Sequence, residues 1–269
     1  MKQLFSALIT LFLIIPSPSL HALQPPDQPD LAELSAAPGQ SPSAAALVGA
    51  CNRYNDLNTS IRDGKISKEP ARSALKRLLA EVRQRYELAG GRNYTKTDWT
   101  FPLAGYDSRA ITGGSNKGYI ASGYDFYTGN RHGGHPAVDI FIRDRDQDSL
   151  DDRANRPVTV LSVTGGIVVA LEREWEQGSG LRGGKYLWIY DPANDLLVYY
   201  AHNSELLVGL GDMVKPGDAI AKVGRSGFNA HKRRSPTHLH LSVLRVQDGW
   251  PLPLNVYQDL AHAKTIAAQ

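Results

Sequence analysis

The chain has 269 residues, 42% hydrophobic and 21% charged, a balance too apolar for a disordered chain and too polar for one crossing a membrane many times. Thirty Lys and Arg against 27 Asp and Glu give a net charge of +3 with no long basic run. Dedicated nucleic-acid binding is therefore not indicated, while a mildly cationic face would suit an anionic polymer.

In chain order, residues 1–22 read as an export signal: Lys2 is the charged start, Leu8 to Ile15 the apolar run, Pro16 and Pro18 the break, and Leu20-His21-Ala22 the cleavage region. The run is too short to span a bilayer, so no membrane span is expected once the signal is removed, and the chain is expected in the periplasm or outside the cell. No Cys closely follows the run, so nothing suggests a lipid anchor. Residues 23–43 are rich in Pro, Ala, Ser and Gln without a sustained period, the composition of a flexible lead-in.

Residues 44–92 read as a helical hairpin. Leu75, Leu78, Leu79, Val82 and Tyr86 recur at helical spacing. Ser67-Lys-Glu-Pro70 opens this helix with Pro in the first turn, and Gly90-Gly91 closes it. An earlier helix from Ala44 to Ile61 ends at Asp63-Gly64 and carries Cys51, which reads as a small core residue. As the only cysteine it allows no intramolecular disulfide.

Beyond Asn93 the period becomes that of strands: 157–163, 166–171, 186–190 and 196–201 are short β-branched and aromatic runs separated by turn residues. Asp191 to Asp195 forms a hairpin, and Pro216-Gly217 fits the centre of a type II turn between Met213-Val214 and Ala219-Ile220. The expected fold is mainly β, an antiparallel sheet over 93–262 with a short tail at 263–269.

Two strand segments carry ligand-type side chains. In His135-Pro-Ala-Val-Asp139-Ile-Phe-Ile142, alternation sends Val138, Ile140 and Ile142 to one side and puts His135 and Asp139 on the other. In Thr237-His238-Leu-His240-Leu-Ser-Val243, His238 and His240 share a face backed by Leu239, Leu241 and Val243. Either motif alone specifies little. Together they offer three N/O ligands and a spare His, the composition of an open zinc site. His202, at the end of the 196–201 run, reads on its own as a surface residue.

Four motifs in this order resemble the lysostaphin-type, or LytM-type, zinc metallopeptidases: His135-x-x-x-Asp139, Tyr200-Ala-His202-Asn-Ser-Glu-Leu, the stretch Val214 to Gly227, and Ser235-Pro-Thr-His238-Leu-His240-Leu-Ser-Val243. The resemblance spans roughly residues 100–255. It implies a β-sheet peptidase domain with a substrate groove that cuts peptide cross-links of bacterial peptidoglycan. It further implies one zinc held by His135, Asp139 and His240, with His202 and His238 as catalytic histidines whose division of labour stays open. All five are present, which favours an active enzyme over a non-catalytic wall-binding or amidase-activating module; a zinc endopeptidase acting on proteins shares the same chemistry. The helix-borne His-Glu-x-x-His motif is absent, so no Glu takes the base role.

One departure from the family follows Ile142, the acidic insertion Arg143 to Arg153. Asp144, Asp146 and Asp148 match the opening of a calcium loop, but Ser149 stands where Gly is expected and Asn155 where a bidentate Glu belongs. The favoured reading is a solvated insertion without calcium, dispensable for catalysis. The Gly-rich stretch Trp175 to Gly184 is either a groove wall or an inert hairpin tip. The helical hairpin reads equally as a regulatory cover, a docking element for a protein regulator, or packing support.

Overall fold

The computed structural model describes residues 42–111 and 118–268, so the segment read as an export signal and most of the expected lead-in lie outside the described residues. The described elements, in chain order, are α1 (Pro42–Arg62), α2 (Lys68–Leu88), β1 (Val138–Phe141), β2 (Leu150–Asp151), β3 (Arg156–Pro157) and β4 (Thr159–Leu161). Then come β5 (Gly166–Glu172), β6 (Lys185–Asp191), β7 (Leu196–Leu206), β8 (Met213–Val214), β9 (Ala219–Val223), β10 (His238–Gln247), β11 (Trp250–Leu254) and α3 (Tyr257–Ala261). Nine of the strands form one antiparallel sheet ordered β1-β10-β7-β6-β5-β8, with β11 continuing beside β10 and β9 bridging β7 and β4. The mainly β architecture with a helical hairpin in front of it is the fold class the sequence implied.

Strand alternation divides the apolar residues between two cores. One face of the sheet packs Leu187, Ile189, Val198, Tyr200, Leu239, Leu241 and Val243 against Trp99, Phe101, Leu103 and Ile140. The opposite face, carrying Tyr186, Trp188, Tyr190, Leu197, Ala201 and Leu244, joins a second core with Leu47, Tyr54, Ile61, Leu75, Leu79, Val82 and Tyr86 of the hairpin. The spacing of Leu75, Leu79, Val82 and Tyr86 puts these side chains on one stripe of α2. Burying each stabilises the fold by roughly 1.5–3 kcal/mol. The hairpin therefore shares a core with the sheet. Cys51 lies at the centre of that core, where burial pushes its thiol up to about 12.

The hairpin and the ligand-bearing ends of the strands occupy the same face of the sheet. His238, His240 and Ser242 precede Leu244 on that face of β10, and α2 meets the far end of the strand, where Arg72 and Lys76 pair with Asp248. The 3-10 segment Phe126–Arg131 closes against α1: a Cβ on Gly129 would lie 2.3 Å from the Ile61 carbonyl, so only glycine permits this approach.

Candidate active site

The site is assembled by cross-strand register. β1 and β10 pair with Asp139 opposite His240, which puts both side chains on the same face at the shortest cross-strand spacing. His240 Nδ1 lies 3.1 Å from Asp139 Oδ1, and His135 Nε2 lies 3.3 Å from Asp139 Oδ2. His135, Asp139 and His240 offer one ligand atom each, all within 4.8 Å of one another. Donors about 2.1 Å from a tetrahedral ion stand about 3.4 Å apart, close to each of these two contacts, which are made through the two different oxygens of Asp139. The N, O, N set suits zinc, and the residues present fit the group.

His135 reaches this position by a route that strand alternation does not describe. β1 begins only at Val138; His135 sits before it in a β-bridge to Ile120, with its Nδ1 2.8 Å from the Gly118 carbonyl. The expected shared strand face is thus replaced by a loop held to a second loop. Val138, Ile140 and Ile142 do point together into the core.

Three of the imidazoles are oriented by the same device. His135 Nδ1 faces the Gly118 carbonyl at 2.8 Å, His202 Nδ1 the Ser226 carbonyl at 2.8 Å, and His238 Nδ1 the Pro236 carbonyl at 2.7 Å. A carbonyl accepts only, so each neutral ring carries its proton on Nδ1 and leaves Nε2 as the free lone pair. His238 Nε2 is 3.8 Å from Asp139 Oδ1, and the His202 ring centroid lies 5.0 Å from that of His238 and 5.4 Å from that of His240.

His202 is buried in the middle of β7, which corrects its reading as a surface residue at a strand end. Its φ of +68° is a left-handed conformation, rare for a non-glycine residue, at the point where β7 leaves β10 and pairs with β9 instead. Gly227 makes the turn possible: at φ +116° a Cβ there would stand 2.5 Å from the Arg182 carbonyl and 2.8 Å from His202 Nδ1. Burial holds His202 and His240 below the ordinary histidine range, and so both stay neutral. For Asp139 burial opposes the charge, but His135, which donates from Nε2 only in its protonated form, and the hydrogen bond from His240 Nδ1 outweigh it and keep the carboxyl well below the usual range. His135 is raised, chiefly by its bond to Asp139.

These groups line one cleft of about 320 Å³. Its floor continues past the imidazoles onto Tyr186, Trp188 and Tyr199, its walls come from 124–136, 181–183 and 229–235, and Asn58, Ile61 and Arg62 of α1 close one end. Arg62 and Asn58 both donate to the Tyr186 hydroxyl there, at 3.1 and 3.3 Å.

Residues 145–252 match peptidase family M23. The chain carries an M23 peptidase domain. The match takes in all of β7 and β10, hence His202, His238 and His240, and begins after His135 and Asp139. Curated proteins give no match. Among solved structures, a Ruminococcus gnavus protein described as a LytM glycyl-glycine endopeptidase is 20% identical at a TM-score of 0.44, covering 84% of this chain and 98% of its own. Lysostaphin from Staphylococcus simulans is 21% identical, TM-score 0.34, covering 53% of this chain and 48% of its own. A zinc-containing peptidase of Vibrio cholerae is 21% identical, TM-score 0.35, covering 60% and 39% respectively. The chain thus spans less than half the length of these last two.

The structure brings together all five residues singled out from the sequence, three of them within the matched stretch and two, His135 and Asp139, just before it. The carbonyls of Gly118, Ser226 and Pro236, the aromatic floor and the closing end of α1 were not foreseen. Only Gly227, beside Ser226, left a trace in the sequence. In the insertion, the Asp144, Asp146 and Asp148 set is not the one that gathers: Asp152 joins Asp144 and Asp146, while Asp148 Oδ1 accepts from the Leu150 amide. The buried carboxylate of Asp144 is engaged by the Asp148 and Ser149 amides and by the Thr237 hydroxyl at 2.6 Å. The Gly-rich stretch does supply a wall, through Leu181, Arg182 and Gly183.

Proposed function

We propose that the chain is an exported zinc-dependent endopeptidase that hydrolyses peptide cross-links of bacterial peptidoglycan. One observation carries this reading: His135, Asp139 and His240 converge on the cleft floor beside two further imidazoles whose tautomers are fixed by backbone carbonyls. A wall-binding module has no need of five groups held this way.

His135, Asp139 and His240 would hold the ion. When bound, zinc supplies Lewis-acid chemistry, polarising a peptide carbonyl and bringing the pKa of water toward about 7. His238 Nε2, close to the ligands yet not among them, accepts the proton of the attacking water and returns it to the leaving amine. His202 stays neutral and orients water or a developing oxyanion through the other side of the cleft. Among the described residues lining the cleft, Asp139 is the only carboxylate, so the base role falls to a histidine.

Digestion of purified peptidoglycan of defined cross-link chemistry, with mass spectrometry of the released termini, tests the proposal. New amino termini within the cross-link support it. Intact cross-links, with the protein merely bound to the wall, would replace it with the non-catalytic reading.

A further inference from the structure

The cations of this protein are unevenly matched. Around the hairpin they meet carboxylates: Arg53 pairs with Glu81, Arg62 with Glu172, Lys68 with Asp125, and Arg72 and Lys76 with Asp248. At the mouth of the cleft they do not. Among the described residues, Arg182, Lys232 and Arg234 have no carboxylate partner: their hydrogen bonds go to neutral oxygens, and Lys232 Nζ also lies over the Phe228 ring, 4.2 Å from its centroid. Arg182 Nη1 donates to the Asn130 and His132 carbonyls at 3.2 and 2.8 Å, crossing from one cleft wall to the other. Lys232 Nζ and Arg234 Nη2 converge on Asn229 Oδ1 at 2.9 and 3.5 Å. Asn130, His132, Arg182 and Asn229 all line the cleft, and among the described residues its single acidic lining residue is Asp139.

The segment bearing Lys232 and Arg234 is built from beneath. Arg225 donates to the Lys232 and Ser235 carbonyls at 3.1 and 2.8 Å and to Thr237 Oγ1 at 2.9 Å. Gln147 of the acidic insertion accepts from Arg225 at 3.1 Å and donates to the Arg233 carbonyl at 2.9 Å. The insertion thus braces the segment while placing no carboxylate within ion-pairing reach of its cations. Fixed, unmatched cations beside a cleft are a binding feature for anions, since charge-assisted hydrogen bonds to carboxylate are roughly twice as strong as neutral ones.

We infer that Lys232, Arg234 and Arg182 form a cationic rim that binds free carboxylates of the peptide substrate, so that this cleft takes cross-links carrying unamidated acidic groups in preference to neutral oligoglycine bridges. The inference rests on the proposed peptidoglycan peptidase activity and names the substrate class for it.

The test uses a fluorescein-labelled soluble cross-linked peptide dimer with free carboxylates and its amidated twin. Binding to the full chain is followed by fluorescence anisotropy in a His238→Ala background, so that the label stays on an intact dimer. The free-acid dimer is expected to bind at least about tenfold more tightly at low salt, with K232Q/R234Q and R182Q each reducing the ratio by about threefold. Equal binding of the two dimers, binding of neither, or a ratio that both sets of substitutions leave unchanged would overturn the rim. Hydrolysis by the unsubstituted chain is measured in parallel. A carboxylate preference in binding without any cleavage supports the rim and removes the peptidase reading. Cleavage of both dimers without preference in binding does the reverse.

Discussion

Gly227 links the backbone to the chemistry of His202, and replacing it with Ala tests that link. At φ +116° an L-residue is strained by about 1–2 kcal/mol, and the added Cβ would sit 2.5 Å from the Arg182 carbonyl and 2.8 Å from His202 Nδ1, overpacking that costs roughly 1–3 kcal/mol more. Gly178 supplies the control: its φ is +101°, but nothing lies within 4 Å of its Cβ position, so Gly178→Ala bears the backbone strain alone. Urea unfolding of both variants should show Gly227→Ala losing about 1–3 kcal/mol more than Gly178→Ala, a midpoint about 0.3–1.5 M lower at an m-value of about 2–3 kcal/mol/M. The Ser226 carbonyl that fixes His202 must shift with it, so cleavage by Gly227→Ala should fall by at least about tenfold. Equal losses of stability in the two variants would refute the close approach on which the placement of His202 depends.

Three further outcomes are expected. His238→Ala should keep its zinc and lower turnover on cross-linked peptide by at least about 100-fold, read as metal content and rate on one preparation; full activity would remove His238 from the mechanism. Leu75→Ala, in the core shared by hairpin and sheet, should cost about 2–5 kcal/mol, with helical and aromatic circular dichroism lost in one transition; separate transitions would mean that the hairpin folds alone. Burial raises Asp191 to about 6 from the ordinary 3.8. Its contribution to stability is therefore full below about pH 4 and is lost as pH rises through 6, a change on the order of 3 kcal/mol. Asp191→Asn should gain stability relative to the parent across that window, and a pH-independent difference between the two would show the raised carboxyl to be wrong.

Period and alternation reveal the hairpin and most strands because those elements bury one stripe or one face. Leu239, Leu241 and Val243 behind His238 and His240 are the clearest case, and here the reading of the shared polar face holds. For His135 the right residue was chosen on a strand that does not extend so far, since its position is set by the Ile120 bridge and the Gly118 carbonyl, neither of which has a local pattern. His202 escaped notice as a buried residue because it is held by a bend in β7 and by a carbonyl 24 residues away. A helix stripe announces that it will be buried but not against which face, so the position of α1 at the end of the cleft was illegible. The insertion was read from its acids, whereas the contact that joins it to the wall of the cleft comes from Gln147.

The central claim is that His135, Asp139 and His240 hold one zinc while His202 and His238 act beside it. Metal content by atomic emission, on the full chain and on five single alanine variants purified alike, tests it most directly. The account predicts one zinc per chain in the parent, in His202→Ala and in His238→Ala, and almost none in His135→Ala, Asp139→Ala and His240→Ala. Zinc retained without Asp139 or His240, or lost with His238 alone, would contradict it.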